Sequence, residues 1–383
     1  MAVGLSGVMF ALHLVALGLN VWLIGLSISA GLAGCAIGTV AVTYLTDRVG
    51  RRTTLIVLAW LMALGGCAMA WATHPSAILV SACLGMVNGM GRDRGAGPTV
   101  DQVILPQTAT AATRTKVFAW YNLIMDAAHA LGALLGSVPA FLRAHLSVPA
   151  LASYQWTWGL YSGLCLLAGL LALRLSRSVE SRNSARRAPR LSAAARPVVT
   201  RFALLSGLDS LGGGFLTTAL LGYWFFRRFG VEESFLGPLF FVVRVANGLS
   251  HLAAAWIATR IGLVNTMVFT HLPSSLLLLV LPVVPTLPMA VAVFLARESL
   301  VEMDVPTRQS YLVAVVDEQD RTRAVGVTNL TRSLAWAVAP VVSGSLMSSL
   351  SVSAPLVIGA GMKMAYDLLL YRAFRHLKPP EER

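Results

Sequence analysis

Charged residues are scarce in this chain of 383 residues: Asp, Glu, Lys and Arg make up 12% of it, and hydrophobic residues make up 56%. A soluble domain carries roughly 25% charged residues, so the scarcity argues against a soluble globular protein. The apolar residues form repeated runs of roughly 20 residues, the length of a helix that crosses a bilayer. Most runs are apolar all round, as expected for helices that face lipid or a protein interior. The composition therefore predicts an integral membrane protein.

Cysteine is also scarce, and the common signatures of catalysis are absent from the sequence. The four cysteines are isolated within apolar stretches and form no CxxC pair, so neither a disulfide framework nor a metal site is indicated. There is no GxxxxGK[ST] motif, which counts against an ATP-driven pump, and no HExxH or GxSxG motif. We therefore expect no enzyme activity, no metal and no cofactor.

Twelve apolar segments are predicted to cross the membrane as α-helices, which makes the expected fold all-α. Their approximate ranges are 2–18, 22–45, 54–72, 76–105, 117–141, 152–173, 202–226, 234–259, 265–284, 288–316, 324–349 and 352–372. They are numbered here as spans 1 to 12 in chain order.

A polar linker, residues 174–200, separates span 6 from span 7. It holds seven arginines and a single acid, Glu180, and such a segment cannot bury a core of its own. The linker divides the chain into an N-terminal six-helix bundle of residues 1–173 and a C-terminal six-helix bundle of residues 201–383 with a short tail.

Lys and Arg are distributed unequally between the two sides of the predicted topology. The side that holds the linker carries 20 of them in its loops and the other side carries 3. The positive-inside rule then places the linker and both termini in the cytoplasm. The net charge of +13 is thus a topology signal, and we expect no nucleic-acid partner. We expect a protein of the bacterial-type inner (plasma) membrane that works as a monomer in the lipid bilayer.

The two halves carry the same landmarks at one offset. Arg114-Thr115 lies eight residues before Asn122-Leu123, and Arg321-Thr322 lies eight residues before Asn329-Leu330. Membrane proteins built from two similar halves hold a binding site between them, near the middle of the bilayer. Transport of a small solute is therefore the first functional hypothesis.

Fifteen charged residues lie within the predicted spans, where each costs about 2.5–3.5 kcal/mol on insertion scales. Ten of them fall in spans 4, 7 and 10 and should face an aqueous cavity or the interior of the bundle. These ten candidates for a substrate or proton cavity are Arg92, Asp93, Arg94, Asp101, Asp209, Arg297, Glu298, Glu302, Asp304 and Arg308.

The spacing of the candidates in span 10 predicts how they interact. Asp304 and Arg308 are four residues apart, as in a helical ion pair. Glu298 and Glu302 are also four apart but like-charged, and two nearby carboxylates in a medium of low dielectric constant tend to retain a proton unless an arginine such as Arg297 neutralises them. The alternative is a structural charge network that locks the two halves together, and the arginines are also candidates for binding an anionic solute.

Asp209, one of the ten, and two further residues, Asp126 and His129, are candidates for proton coupling. Asp209 precedes the run Gly212-Gly213-Gly214, which makes a weak, bendable helix. Asp126 and His129 are three residues apart in span 5 and form a weaker candidate for a proton relay. The alternative for each is a polar contact between helices.

The loop after span 2 reads Asp47-Arg48-Val49-Gly50-Arg51-Arg52. Together with twelve spans, a central basic linker and a degenerate copy at Arg260-Ile261-Gly262, it resembles the major facilitator superfamily over nearly the whole chain. The opening glycine of the family's loop pattern is replaced by Thr43. The family's Gly-Pro motif that marks many drug–proton antiporters in span 5 is absent.

The resemblance implies alternating access by two six-helix bundles, with spans 1, 4, 7 and 10 lining the central cavity. It also implies a gating role for the loop residues Asp47, Arg48, Gly50, Arg51 and Arg52, with the Asp47 carboxylate at a helix N-terminus or a basic partner on the cytoplasmic side. We expect a secondary active transporter of a small solute that is driven by a proton gradient. An uncoupled facilitator and a non-transporting membrane sensor of the same fold are the alternatives.

Overall fold

The computed structural model describes residues 1–92, 96–104, 114–176, 179–180 and 191–377, without the side chain of Asp47 and those of a few other residues inside helices. The described part of the chain consists of α-helices and connecting segments, with no β-strand. Its helices are α1 (Ala2–Ala16), α2 (Val21–Val49), α3 (Arg51–Trp71), α4 (Pro75–Leu84), α5 (Ala96–Ile104), α6 (Arg114–Leu135), α7 (Val138–Leu146), α8 (Ala150–Ala172), α9 (Ala195–Gly214), α10 (Thr218–Phe229), α11 (Glu233–Ile261), α12 (Leu263–Val280), α13 (Leu287–Val301), α14 (Asp304–Ala314), α15 (Glu318–Ser349) and α16 (Ala354–Phe374).

Four of the predicted spans are divided into two helices each. Spans 5 and 10 are broken four residues before a proline, because the ring of a proline inside a helix clashes with the carbonyl group four residues earlier. In span 5, α6 ends at Leu135 and Pro139 lies in the first turn of α7. In span 10, the break falls at Glu302, four residues before Pro306.

Spans 4 and 7 are broken at glycines. The stretch 85–92 that follows α4 is not helical, and Gly91 adopts a φ of 70° there. Span 7 is divided at the end of the three-glycine run, where α9 ends at Gly214 and α10 begins at Thr218. The glycine run thus ends a helix, where the sequence predicts a flexible point within one.

The backbone groups exposed by the break in span 4 have protein partners. The side-chain amide of Asn88 donates to the Met86 carbonyl (3.2 Å), and its oxygen accepts from the Met90 N–H (3.0 Å). The Thr218 hydroxyl donates to the Met90 carbonyl (3.0 Å), and the Ala219 N–H donates to the Gly89 carbonyl (2.9 Å). An irregular backbone at membrane depth is tolerated only with such partners.

Six helical stretches in the described part of the chain are long and apolar enough to cross a membrane. They are Val21–Thr46, Arg51–Trp71, Trp120–Leu146, Ala195–Phe229, Glu233–Ile261 and Leu263–Val283. The chain is therefore an all-α integral membrane protein, as the composition predicts.

The helices pack as two compact units. Unit 1 comprises Met1–Arg186, Thr217–Phe241 and Pro340–Ser348, and unit 2 comprises Arg187–Leu216, Val242–Ala339 and Ser349–Arg383. In unit 1, α3 packs on α8, α2 on α4 and α1 on α6; in unit 2, α12 packs on α16 and α13, and α9 packs on α16. The division into bundles 1–173 and 201–383 remains a prediction.

Candidate functional site

The centre of the polar interior of unit 2 is Asp209, which α9 holds among residues of α14 and α16. Lys363 Nζ donates to Asp209 Oδ1 at 2.8 Å, and Arg308 Nη1 donates to Oδ2 at 3.1 Å. All three side chains are buried. A buried carboxylate with two basic partners satisfies the requirement that a charge away from water be paired.

Arg308 also joins Asp209 to a second carboxylate. Its Nη1 donates to Asp304 Oδ2 at 2.6 Å, so the ion pair predicted from the four-residue spacing is present. Asp304 is the first residue of α14, where a carboxylate is favoured by the helix dipole.

A histidine connects Asp209 and Lys363 to a third carboxylate. His271 Nδ1 of α12 lies 2.8 Å from Asp367 Oδ1, and Lys363 Nζ lies 3.2 Å from His271 Nε2. Because an ammonium group has donors only, we assign Nε2 as the acceptor and Nδ1–H as the donor to Asp367. His271 is then neutral, and its Nε2 is 3.7 Å from Asp209 Oδ1.

We call these residues, together with Arg332 of α15, the charge cluster; its members are Asp209, His271, Asp304, Arg308, Arg332, Lys363 and Asp367. Its three carboxylates balance its three permanent bases when His271 is neutral. Such a balance is expected where charges are removed from water. A neutral imidazole has one accepting and one donating nitrogen and can take up a proton at one while releasing one from the other, so the chain Asp367–His271–Asp209 is suited to hold or pass a proton.

A smaller polar group in unit 2 joins α11 to α13. Asn247 Nδ2 donates to the Glu298 carbonyl (2.8 Å) and to its Oε2 (3.3 Å), and Arg244 Nη1 donates to Asn247 Oδ1 (3.4 Å). The Arg297 guanidinium pairs with the Glu298 carboxylate. Arg297 thus neutralises Glu298, as the sequence analysis allowed. Glu302 is partly exposed at the end of α13.

The candidates of span 4 are only partly described. Arg92 is partly exposed at the end of the non-helical stretch, and Asp93 and Arg94 lie outside the described residues. Asp101 of α5 accepts a hydrogen bond from the Tyr121 hydroxyl of α6 at 3.1 Å. Arg92 and Asp101 belong to unit 1, whereas the charge cluster belongs to unit 2.

The two weaker candidates of span 5 lie one turn apart on α6. Asp126 is partly exposed, and His129 is buried. The backbone of α1 approaches α6 so closely there that a Cβ on Gly4 would lie 2.3 Å from the His129 carbonyl oxygen. His129 is thus placed at a tight helix contact.

The loop between α2 and α3 turns at Gly50, whose φ of 93° disfavours other residues. The backbone N–H groups of Arg51 and Arg52, the first of α3, donate to Glu180 Oε2 (2.7 Å) and Oε1 (3.1 Å). The carboxylate at this helix N-terminus, where a negative charge is stabilised, therefore belongs to the linker. The side chain of Asp47, for which the resemblance implies a similar place, lies outside the described residues.

The arginines of the loop contact the backbone that follows α8. Arg51 Nη1 donates to the Val179 carbonyl at 3.1 Å, and the Arg52 guanidinium donates to the Leu173 carbonyl. Arg51 is buried, whereas Arg48 is exposed. Within unit 1, the motif thus fastens the start of the linker to the start of α3.

Sequence reasoning did not select four members of the charge cluster as site residues: His271, Arg332, Lys363 and Asp367. Lys363 and Asp367 carried a usable signal, because two opposite charges four residues apart share one face of an apolar helix. His271 carried none, since its partners are 62 to 96 residues away in sequence. Within the described residues, no group of three His, Cys, Asp or Glu is arranged to hold a metal ion.

Comparison with known proteins agrees with this architecture. The family model described as Major Facilitator Superfamily matches residues 1–301 and 202–383. An uncharacterized membrane protein of Saccharomyces cerevisiae is 23% identical, over 96% of this chain and 89% of that protein.

Solved structures show the same fold at lower identity. A D-xylose–proton symporter superposes with a TM-score of 0.75 at 16% identity, over 99% of this chain and 97% of that chain. The human organic anion transporter MFSD10 superposes with a TM-score of 0.61 at 19% identity, over 96% and 89% of the two chains.

Proposed function

Because the chain belongs to the Major Facilitator Superfamily, we propose that it is a secondary active transporter that couples the movement of a small solute to protons through the charge cluster. The fold of the family implies twelve membrane-spanning helices, the number predicted from the sequence. The substrate site of such transporters lies between two halves that open alternately to the two sides of the membrane. The chain is proposed to act as a monomer in the plasma membrane, with its linker and termini in the cytoplasm.

The observation that supports proton coupling is the contact chain from Asp367 through His271 to Lys363 and Asp209. The four side chains come from α9, α12 and α16 and are all protonatable. Each lies within hydrogen-bonding distance of the next. Buried ionisable residues in membrane helices are characteristic of proton pathways. Well-packed apolar residues often replace a buried ion pair without loss of stability, so folding alone does not require charges in these positions.

A proton entering the cluster changes its contacts in a defined way. Protonation of His271 Nε2 removes the lone pair that accepts from Lys363 Nζ, and like charges then repel. The new N–H lies 3.7 Å from Asp209 Oδ1. Before protonation, that oxygen accepts the hydrogen bond from Lys363 Nζ. The proton therefore competes with Lys363 for Asp209 and loosens the contact between α9 and α16. A ligand shifts a conformational equilibrium only if it binds one conformation more tightly than the other, and a proton that changes these contacts meets that condition.

The test is a flux assay in proteoliposomes with a pH-sensitive dye inside. Solutes are added singly, beginning with D-xylose and an organic anion, the classes named for the two structural relatives. We expect solute-dependent proton movement in the wild type and its loss in Asp209→Asn and His271→Gln. Asp317→Asn, which removes an exposed carboxylate before α15, is the control and should leave proton movement unchanged.

The other outcomes assign the alternatives. Solute flux without proton movement in the wild type would identify a facilitator. Normal proton coupling in both cluster variants would refute the role of the cluster. Solute binding without flux of any member of the panel would identify a membrane sensor of the same fold.

A further inference from the structure

One base of the charge cluster differs from the others in its partners. Arg332 of α15 is buried, at 8% exposure, and its guanidinium lies 4.8 Å from the centre of the Trp336 ring. Arg308 and Lys363 form ion pairs with Asp209, whereas no carboxylate of the described residues forms one with Arg332. Arg332 is thus a buried cation that is stacked on an indole ring and forms no direct ion pair with a carboxylate of the described residues.

The position of Arg332 results from a close approach of α9 to α15. A Cβ on Gly214 would lie 2.4 Å from Ala339 Cβ and 3.4 Å from Trp336 Cδ1, and a Cβ on Gly207 would lie 2.9 Å from Thr331 Cγ2. These two glycines let α15 lie against the helix that carries Asp209. Arg332 is therefore within electrostatic range of the cluster, including the carboxylates of Asp209 and Asp304 and the like charge of Arg308.

Structural stabilisation does not account for this arrangement. A buried guanidinium without a directly bonded carboxylate loses its hydration without full compensation. Asp209 and Asp304 attract Arg332 from a distance, and Arg308 repels it. Stacking on an aromatic ring returns only part of that cost. In a membrane helix an incompletely compensated charge marks a place where a ligand or ion binds.

We propose that Arg332, stacked on Trp336, binds the carboxylate group of the transported solute, which is therefore a small organic acid. The proposal rests on the proposed transport function and adds the substrate class to it. A guanidinium presents two parallel N–H groups that match the two oxygens of a carboxylate. Trp336 lies against the guanidinium, 4.8 Å from its centre, and stacking on a ring uses the face of a guanidinium and not the N–H groups at its edge.

The charge balance of the cluster explains how such a solute would be coupled to protons. The three carboxylates of Asp209, Asp304 and Asp367 balance Arg308, Arg332 and Lys363 when His271 is neutral. A bound organic acid anion adds one negative charge, and one proton on His271 or a carboxylate restores neutrality. The anion and the proton therefore favour each other's binding, and we expect one proton to move with each carboxylate group.

Binding is tested first on the purified full-length protein in detergent. The probes are acetate, lactate, succinate and benzoate, each paired with its neutral amide, and the readout is the apparent unfolding temperature as a function of probe concentration. We expect at least one acid, and not its amide, to stabilise the wild type. Arg332→Gln should weaken that binding tenfold or more, because a hydrogen bond to a charged group is lost.

Two further variants separate the role of the two parallel N–H groups of Arg332 from effects on folding and from the effect of a positive charge alone. Arg332→Lys retains the charge in the same place and should bind the acid more weakly than the wild type but better than Arg332→Gln. Arg375→Gln removes an exposed arginine whose guanidinium lies 5.7 Å from the Tyr371 ring, and it should bind the acid like the wild type. If Arg332→Gln fails to fold, the Lys variant alone decides: unchanged affinity for the acid overturns the proposal.

The flux assay distinguishes failure of this inference from failure of the proposed function. Proton-coupled flux of a neutral solute, with no stabilisation by any of the acids, would overturn the carboxylate site and leave proton coupling intact. Binding of an acid that depends on Arg332, without any proton movement, would support the site and refute the coupling. Stabilisation by an acid that persists in Arg332→Gln would place the anion elsewhere.

Discussion

The interiors of unit 1 and unit 2 are stabilised by different means. In unit 1, the helices approach until backbone meets backbone: a Cβ on Gly31 would lie 2.0 Å from the Val87 carbonyl oxygen, and one on Gly34 would lie 1.9 Å from that of Cys83. In unit 2, the closest approach of such a Cβ to backbone is longer, 3.0 Å from Gly212 to the Gly359 carbonyl oxygen, and the interior holds the charge cluster. Among the described residues, unit 1 contains no comparable network of buried carboxylates and bases.

The difference shows that the repeat preserves the backbone and not the chemistry. Gly50 and Gly262 occupy equivalent positions before α3 and α12 and have similar conformations, with φ of 93° and 84°. Each glycine is the single residue between two long helices, α2 and α3 or α11 and α12, so the same turn is found in both halves. Ionisable residues are costly in the membrane and are needed only where a proton or solute binds, which explains how one unit can hold most of them.

The largest expected effect comes from removing one partner of a buried ion pair in unit 2. Lys363→Met deletes the ammonium group that holds Asp209 Oδ1 and His271 Nε2. Because it leaves a buried carboxylate under-compensated, we expect it to destabilise unit 2 by about 3–5 kcal/mol. The measurement is the free energy of unfolding, or the apparent unfolding temperature in detergent.

A second substitution tests whether the cause is the unpaired charge. The double variant Asp209→Asn/Lys363→Met removes both charges and should recover most of the lost stability while remaining unable to couple protons. If the double variant is as unstable as Lys363→Met alone, the destabilisation arises from lost packing around α16 and not from an unpaired Asp209.

The sequence was informative about this cluster to the extent that its signals were local. The four-residue spacing of Asp304 and Arg308 predicts their contact. Outside the cluster, the prolines explain the breaks in spans 5 and 10 once the structure is known. His271 and Asp367 meet through packing of α12 on α16, and no spacing within either helix encodes that contact. Glu180 could be recognised as the only acid of the linker, but its place at the start of α3 depends on how the linker folds back.

Steric crowding in unit 1 provides the next prediction. Gly34→Ala places a methyl group against the Cys83 carbonyl, and we expect it to destabilise the protein by about 1–3 kcal/mol because the helix backbones must separate. Gly248→Ala is the matched substitution in unit 2, where the methyl group meets open space. It should be neutral or stabilising, by up to about 1 kcal/mol, since alanine is the better helix former. Equal effects of the two substitutions would show that the backbone contacts in unit 1 are not limiting.

Substitution of the buried Glu233, which forms an ion pair with Arg143, tests whether the charges of unit 1 are structural. Arg143 Nη2 contacts Glu233 Oε2 at 2.7 Å and Glu232 Oε2 at 3.1 Å, and the Tyr154 hydroxyl also bonds to Glu233. Glu233→Gln keeps the shape and one acceptor, so we expect a loss of about 1–2 kcal/mol of stability. Proton coupling should persist, in contrast to Asp209→Asn. Loss of coupling in Glu233→Gln would mean that proton transfer is not confined to unit 2.

The smallest effect is expected where unit 2 holds the end of the linker. The Ser192 hydroxyl donates to Asp320 Oδ2 (2.6 Å) and the Ser192 N–H donates to Oδ1 (3.0 Å), and these bonds lower the pKa of Asp320. Because the pKa of Asp320 is depressed in the folded state, the contact contributes its full stabilisation above the ordinary carboxyl pKa of about 4. This stabilisation is lost as the pH falls through the lowered pKa. At neutral pH, Asp320→Asn should therefore speed hydrogen exchange at the Ser192 amide, with little change in global stability. Glu180→Gln, the equivalent change at the start of α3 in unit 1, should speed exchange at Arg51 and Arg52 and leave Ser192 unchanged. Faster exchange at all three amides in either variant would show that the two ends of the linker are released together, and not held separately by Glu180 and Asp320.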